Sequence, residues 1–171
     1  GDETIRRVRQ APLPPRAFDV TFADRWSLLV ADARAVAAMD EGALAAAAQG
    51  FYNDTYLYDQ NACTAPRLIY WLGGGEALRA AQDRFWRAVR AYAAPRYPVD
   101  AVAAVDKLTA LYRAALTLPG AELAPMPDNL AVRIRLAALS PEVTAFRCAG
   151  GCFLEYAADA LDPLAPLLTE K

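Results

Sequence analysis

The spacing of hydrophobic positions changes several times along the chain, and each change marks an element. Residues 1–10 run from Asp2 and Glu3 to Arg6, Arg7 and Arg9, the charge order that complements a helix dipole, before Pro12, Pro14 and Pro15 break the run. Phe18-Asp-Val-Thr-Phe22 alternates and predicts a short strand, and the apolar run Trp26-Ser-Leu-Leu-Val-Ala31 predicts a buried one. From Asp32 to Gly50 the chain is rich in alanine, with Val36, Met39 and Leu44 on one side. That predicts helix in two pieces, parted near Gly42 and stopped at Gly50. Aromatic residues at 51, 52, 56 and 58 wrap much of a further helix, so this segment is expected to be buried on several sides.

The stretch Arg67-Leu-Ile-Tyr-Trp-Leu72 is rich in strand formers and ends at Gly73-Gly-Gly75. Glu76 to Ala94 predicts an amphipathic helix, with Leu78, Ala81, Phe85, Val89 and Tyr92 on one face and arginines opposite. Pro95 and Pro98 end it. Residues 99–118 predict another helix, whose inward face would be Val102, Val105, Leu108, Leu111 or Tyr112, and Ala115. A proline-rich loop at 121–128 precedes an alternating strand at 129–137. Two more strands, 143–148 and 152–156, flank a Gly150-Gly151 turn, and a proline-interrupted, partly helical end covers 160–168. Strands and helices alternate with no linker or repeat between them, so the fold class is α/β.

A chain of 171 residues is long enough for one domain with a full core. The 18 basic residues are scattered among 20 acidic ones, for a net charge of −2. No basic stripe forms, and nucleic acid is excluded as a partner. No apolar run reaches the roughly 18 residues that cross a bilayer. The first residues lack the apolar core of a signal peptide, so a cytoplasmic location is expected.

The chain has no histidine, which rules out Ser-His-Asp and Cys-His catalysis within it and any His-ligated metal centre. Its three cysteines include no C-x-x-C pair, so no metal and no disulfide framework is indicated. Cys148 and Cys152 are expected to be core or strand residues rather than a redox pair. The triple glycine has neither phosphate-loop pattern and reads as a turn. Cys63 stands apart, because Asp59, Gln60 and Asn61 precede it and Thr64 and Pro66 follow it, and such surroundings are polar and turn-like. Two readings stay open: a nucleophile, or a partly buried thiol at a helix end. A nucleophile here has no imidazole, so backbone N–H groups and local charge must activate it. The aromatic cluster Phe51, Tyr52, Tyr56, Tyr58, Tyr70 and Trp71 reads as core, part of which could line a tunnel for an acyl chain.

The stretch Asn53-Asp-Thr-Tyr-Leu-Tyr-Asp-Gln-Asn-Ala-Cys-Thr-Ala-Pro66 resembles the active-site segment of the LuxC-type acyl-CoA reductases, a branch of the aldehyde dehydrogenase superfamily. Asp24-Arg25, Lys107-Leu-Thr109, Asn129-Leu-Ala-Val-Arg-Ile134 and Gly150-Gly-Cys-Phe-Leu-Glu-Tyr156 fall in the order that family shows, so the resemblance extends over essentially the whole chain. It implies an aldehyde-dehydrogenase-like catalytic domain, a three-layer α/β/α sheet with flanking helices, with the cofactor domain mostly absent. Residues 1–33 would end a nucleotide-binding domain and residues 34–171 would form the thioester-forming catalytic domain. More of the cofactor domain is expected before Gly1 and after Lys171.

By the same resemblance the protein is a reductase. Cys63 would take the acyl group of a fatty acyl-CoA or acyl-protein thioester, with its own backbone N–H serving the oxyanion, and NADPH would reduce the enzyme thioester to the aldehyde. Gln60, Asn61 and Arg67 would support Cys63. Glu170 sits where the superfamily approaches the glutamate that binds the nicotinamide ribose. An acyl-protein synthetase and further copies of the chain are the implied partners. The superfamily arrangement Q-x-C is here one residue longer, Gln60-Asn61-Ala62-Cys63. Hydrolytic relatives carry a glutamate in E-L-G-G just before the first buried strand, where this chain reads Thr21-Phe-Ala-Asp-Arg-Trp26. Without that base an acyl-enzyme is spared from water, which favours reduction. The competing expectation is a non-catalytic α/β module for oligomer assembly or partner docking, in which Cys63 is buried and unreactive.

Overall fold

The structure is a computed structural model that describes residues 2–20 and 25–169. In chain order its elements are α1 (Asp2–Val8), β1 (Ser27–Asp32), α2 (Ala33–Ala38), α3 (Glu41–Thr55), β2 (Pro66–Leu72), α4 (Gly75–Ala93) and α5 (Ala101–Thr117). They continue with β3 (Glu122–Ala124), β4 (Val132–Arg135), α6 (Glu142–Ala145), β5 (Cys152–Ala158) and α7 (Ala165–Thr169). The strands form one sheet in the order β1-β2-β5-β4-β3, parallel except for β3, which runs antiparallel to β4 at the far edge.

The central strands are apolar on both faces because helices cover both faces. Ile69, Trp71 and Phe153 point to one side, into a core shared with α2, α3 and α4. Their neighbours Leu68, Tyr70 and Leu154 point to the other, against α5, α6 and α7. The result is the expected three-layer α/β/α arrangement. Asp32, Asp40 and Asp100 cap α2, α3 and α5, each carboxylate accepting from backbone N–H groups of the first turn.

The first of these two cores encloses an ion pair. Arg133 Nε donates to Glu155 Oε2 at 3.0 Å and its Nη2 stands 2.8 Å from the same oxygen, while the indoles of Trp71 and Trp86 both donate to Glu155 Oε1, at 3.2 and 2.7 Å. The carboxylate thus accepts on both oxygens inside the core, while Arg133 Nη2 makes an ionic contact without a hydrogen bond.

Several local expectations change. Among the described residues β1 has a neighbour on one side alone, so it is a half-buried edge strand with Val30 exposed rather than a buried one. α3 runs straight through Gly50, which faces open space. The helix break falls at Met39-Asp40, where the Asp40 cap starts a new helix. Residues 143–148 hold no strand, because Pro141 opens a helical turn that Thr144 Oγ1 closes by donating to the Pro141 carbonyl at 2.9 Å. The loop expected at 121–128 contains β3. Phe18–Val20 have no regular structure, and the rest of that expected strand lies outside the described residues. α5 is turned over relative to the expectation: Lys107, Ala110 and Ala114 face inward, while Val102, Val105 and Leu108 face out.

Candidate active site around Cys63

The Cys63 turn begins where α3 ends. A 3-10 turn at Tyr56–Tyr58 leads into Asp59 and Gln60, two consecutive residues with positive φ, 51° and 59°. Left-handed backbone costs a non-glycine residue about 1 kcal/mol or more, so surrounding contacts must hold the reversal. Gln60 supplies most of them. Its side chain is fully buried, with Nε2 donating to the carbonyls of Pro66 at 3.0 Å and Cys152 at 2.8 Å. Its Oε1 accepts from the N–H groups of Gly151 at 3.1 Å and Cys152 at 3.0 Å. All four hydrogen-bonding positions of the amide are used. Gln60 therefore acts through the turn and not on a bound molecule.

Neighbouring contacts complete the frame. The Gln60 N–H donates to the Thr55 carbonyl at 2.6 Å, the Gly150 N–H to the Asp59 carbonyl at 2.9 Å, and the Tyr97 hydroxyl to Asp59 Oδ1 at 2.7 Å. Beyond Gln60 the chain turns twice, with the Asn61 N–H bonded to the Tyr58 carbonyl and the Ala65 N–H to the Ala62 carbonyl. Ser27 Oγ donates to the Cys63 carbonyl at 2.8 Å, which ties the turn to the start of β1. Cys63 is exposed and free, at the edge of the sheet where the parallel strands begin.

The opposite wall is the loop 148–152. Cys148 and Cys152 are disulfide-bonded with their Cα atoms 5.7 Å apart; Cys152 is a buried strand residue of β5 and Cys148 packs against the core, as expected, but their pairing departs from the expectation. Gly150 and Gly151, with φ of 65° and 88°, double the chain back and bring the two sulfurs together. A Cβ on Gly151 would collide with the Leu130 carbonyl, so glycine is required there. Arg67 is half-buried, and its guanidinium donates to the carbonyls of Cys148 at 2.6 Å and Gln60 at 3.4 Å. Burial, and then the nearby charge of Arg147, hold Arg67 below the usual guanidinium range.

A cleft of about 660 Å³ adjoins this turn, lined by Asp59, Asn61, Arg67, Tyr97, Arg113 and Arg147 among others. Burial comes first, followed by the bond to Asp59, in raising the Tyr97 phenol above its ordinary range. Behind the cleft Lys107 is buried, its Nζ donating to the Asn129 carbonyl at 2.5 Å. Burial lowers its pKa to about 8, against a smaller opposing pull from Asp128 and Asp100.

The structure thus brings Gln60 and Arg67 together beneath the turn, leaves Asn61 and Cys63 exposed on it, and sets Asn61 at the cleft. Glu170 and Asp24 lie outside the described residues. Of the aromatic cluster, Phe51, Tyr52, Tyr56, Tyr70 and Trp71 are packed core, with Phe51 stacked edge-on against Phe85 and Trp86, whereas Tyr58 is exposed. The contributions of Ser27, Tyr97 and Gly151 carry no local signal in the sequence beyond the glycine pair itself, because their contacts span 36 to 91 residues.

The one glycine-rich strand-to-helix turn, Gly73–Gly75, does not fit a dinucleotide pyrophosphate. A Cβ on Gly74 would lie 3.5 Å from Asp159 Oδ1, so an acidic side chain stands beside this turn and disfavours an anion there. Among the described residues no group of three or more His, Cys, Asp or Glu could hold a metal ion, and no helix is long and apolar enough to cross a membrane.

Among solved structures, the chain is similar to an indole-3-acetaldehyde dehydrogenase in complex with NAD+, at 14% identity and a TM-score of 0.48, over 84% of this chain and 30% of that one. A similar relation holds to an NAD-dependent benzaldehyde dehydrogenase from Corynebacterium glutamicum, at 14% and 0.49, over 84% and 31% of the two chains. An NAD-dependent aldehyde dehydrogenase from Sinorhizobium meliloti gives 14% and 0.49, over 82% and 29%. The chain therefore spans about 30% of the length of these proteins. No curated protein matches it. A family model for acyl-CoA reductases (LuxC) matches residues 1–108, a span that includes β1, the Cys63 turn and β2, while the likeness noted for residues 129–156 lies beyond it. With well over half its length matched, the chain belongs to the acyl-CoA reductase (LuxC) family.

Proposed function

We propose that this chain is the thioester-forming part of an NADPH-dependent reductase that converts fatty acyl thioesters to aldehydes. The Cys63 thiolate attacks the thioester carbonyl carbon, a new C–S bond forms, and the carbonyl electron pair moves to oxygen, where the Cys63 N–H donates to it. The intermediate then collapses, the bond to the donor sulfur breaks, and the departing thiolate takes up the proton that Cys63 gave up. The acyl group remains on Cys63. The reductive half, with NADPH as proposed donor, rests mainly on residues outside this chain.

One observation carries this reading: Cys63 is an exposed thiol on a turn that is anchored on one side by the four hydrogen bonds of the buried Gln60 and held at its own carbonyl by the exposed bond from Ser27. A preorganised thiol with open access is what acyl transfer needs. The domain division is part of the proposal, with residues 1–33 ending a nucleotide-binding unit. The pairing of β1 with β2 argues for a seam before Ser27 rather than at residue 33. Acyl-CoA or acyl-protein as donor, an acyl-protein synthetase and further copies of the chain as partners, and a cytoplasmic location complete it.

The test is incubation with a long-chain acyl-CoA followed by intact mass. An acyl adduct that disappears in Cys63→Ala is expected. A folded protein that gains no adduct, or keeps it in Cys63→Ala, overturns the reading.

A further inference from the structure

Hydrogen bonds join residues 59–67, which carry Cys63, to the loop 148–152. Gln60 bonds to the Gly151 N–H and to the N–H and carbonyl of Cys152. The Gly150 N–H donates to the Asp59 carbonyl, and Arg67 Nη1 donates to the Cys148 carbonyl. Asp59 and Gln60, the two left-handed residues at the head of the turn, therefore take much of their restraint from this loop. The loop itself is held by less. β5 fixes Cys152, but residues 146–149 have no regular structure, and Gly150-Gly151 is the pair with the widest conformational freedom. The disulfide is what ties Cys148 back to β5. It closes a ring of residues 148–152 alone, so its effect falls on this loop more than on the stability of the whole chain. Cys148 is half-exposed on the cleft and Cys152 is buried, so a thiolate in solution reaches the Cys148 sulfur first.

We propose that the Cys148–Cys152 pair is a redox switch on the Cys63 turn, which the disulfide keeps ordered and a dithiol reductant loosens. One thiolate of the reductant attacks Cys148 Sγ, the S–S bond breaks, and Cys152 leaves with the electron pair and takes up a proton. The second thiolate of the reductant then attacks its own sulfur in the mixed disulfide, Cys148 leaves and is protonated, and the reductant ends as a disulfide. Two electrons and two protons pass to the protein, and Cys63 is not consumed. A low-molecular-weight disulfide reverses the exchange. In the cytoplasmic location proposed above, such a bond is one that is made and broken rather than permanent. Once it is cut, the Cys148 carbonyl is no longer held under Arg67, nor the Gly150 N–H against Asp59. The bonds of Gln60 to Cys152 persist, because β5 holds Cys152 in place. The turn therefore loosens without unfolding.

The switch acts on the backbone of the turn, so it is read without acyl transfer, and only its consequence for acylation rests on the reading of Cys63 given above. Hydrogen exchange followed by mass spectrometry compares the chain in dithiothreitol with the chain in oxidised dithiothreitol. The N–H groups of Gln60, Asn61 and Ala65, bonded to the carbonyls of Thr55, Tyr58 and Ala62, are expected to exchange about tenfold faster after reduction, while α4 is unchanged. Cys148→Ser shows the fast exchange in both solutions. Coupling of this kind is reciprocal, so Arg67→Met, which removes the bond to the Cys148 carbonyl, makes the disulfide easier to reduce. Each tenfold shift in that equilibrium raises the reduction potential by about 30 mV. Turn exchange that is the same in both redox states, exchange that rises equally in α4, or an Arg67→Met potential equal to that of wild type overturns the proposal. The single-turnover acylation rate of Cys63 is expected to fall along the same redox midpoint, and an adduct that forms equally fast in both states overturns the switch as well. If no adduct forms in either state, the chemistry proposed for Cys63 fails, and exchange still decides the switch.

Discussion

Replacing Gln60 with leucine tests how the Cys63 turn is held, because leucine keeps much of the side-chain volume and removes every hydrogen bond. Four partners lose their bond: the carbonyls of Pro66 and Cys152 and the N–H groups of Gly151 and Cys152. Each buried polar group left unpaired costs about 1–3 kcal/mol, and a carbonyl with a second partner costs less. The left-handed pair at residues 59 and 60, each of which stores about 1 kcal/mol, also loses its restraint. Shared relaxation keeps the total below the plain sum, at about 3–5 kcal/mol. For a chain of this size that lowers Tm by about 10 °C. Urea unfolding at pH 7 measures the loss, with Asn61→Ala as the exposed neighbour expected to change stability by no more than about 0.5 kcal/mol. On the same folded samples the single-turnover rate of Cys63 acylation falls in Gln60→Leu, and Gln60→Glu does not rescue it, since a carboxylate would face two carbonyl oxygens. A Gln60→Leu protein within about 0.5 kcal/mol of wild type, acylating at the wild-type rate, refutes the argument.

Further outcomes follow from the core and the backbone. The Lys107 ammonium titrates near 8 in the folded chain and near 10.5 in the unfolded one, so between those pH values the unfolded state holds more protons and stability rises with pH, by at most about 3 kcal/mol. Lys107→Met loses this rise; the difference between the two proteins in urea titrations also cancels Tyr56 and Tyr97, whose raised pKa values act in the opposite direction above about pH 10. Glu155→Gln strands a buried guanidinium and costs about 3–5 kcal/mol, whereas Glu155→Leu with Arg133→Met costs less than the single change, which a double-mutant cycle in urea reads directly. Gly50→Ala and Gly151→Ala have opposite signs. The first fills open space on α3 and stabilises by about 0.5–1 kcal/mol. The second meets the Leu130 carbonyl at positive φ and costs about 2 kcal/mol or more in calorimetry.

The parts legible in the sequence are those that local chemistry dictates. Alternation and apolar runs located β2, β4 and β5, and the period of α4 showed its inward face, because Phe85 and Val89 stand against arginines on the other side. The turn character of residues 59–66 was also readable. Face selection failed for α5, where apolar residues surround the helix and periodicity has nothing to choose between. Gly50 misled because a glycine in water on a helix costs only about 1 kcal/mol, less than the packing of Phe51 and Tyr52 returns. The strand expected at 143–148 gave way to Pro141, whose turn chemistry outweighs a short run of strand formers. At the candidate site, Gln60 read as a local turn residue, but its four bonds reach across to β2 and β5. Long-range pairings of that kind leave no trace in the spacing of neighbours, whereas the Cys148–Cys152 bond spans only four residues across the Gly150-Gly151 turn and was misjudged although its signal is local.

The pairing of Cys148 with Cys152 has a practical side. Each occupies the other, and among the described residues Cys63 remains the one free thiol. A haloacetyl pantetheine, a spin label or a resin linker therefore has one address on the native chain, with no cysteine to remove first. Whatever is attached there lands on the atom that the proposed chemistry would load with an acyl group. The same thiol that makes the turn a candidate catalyst also makes the wild-type protein a ready-made, site-defined conjugate.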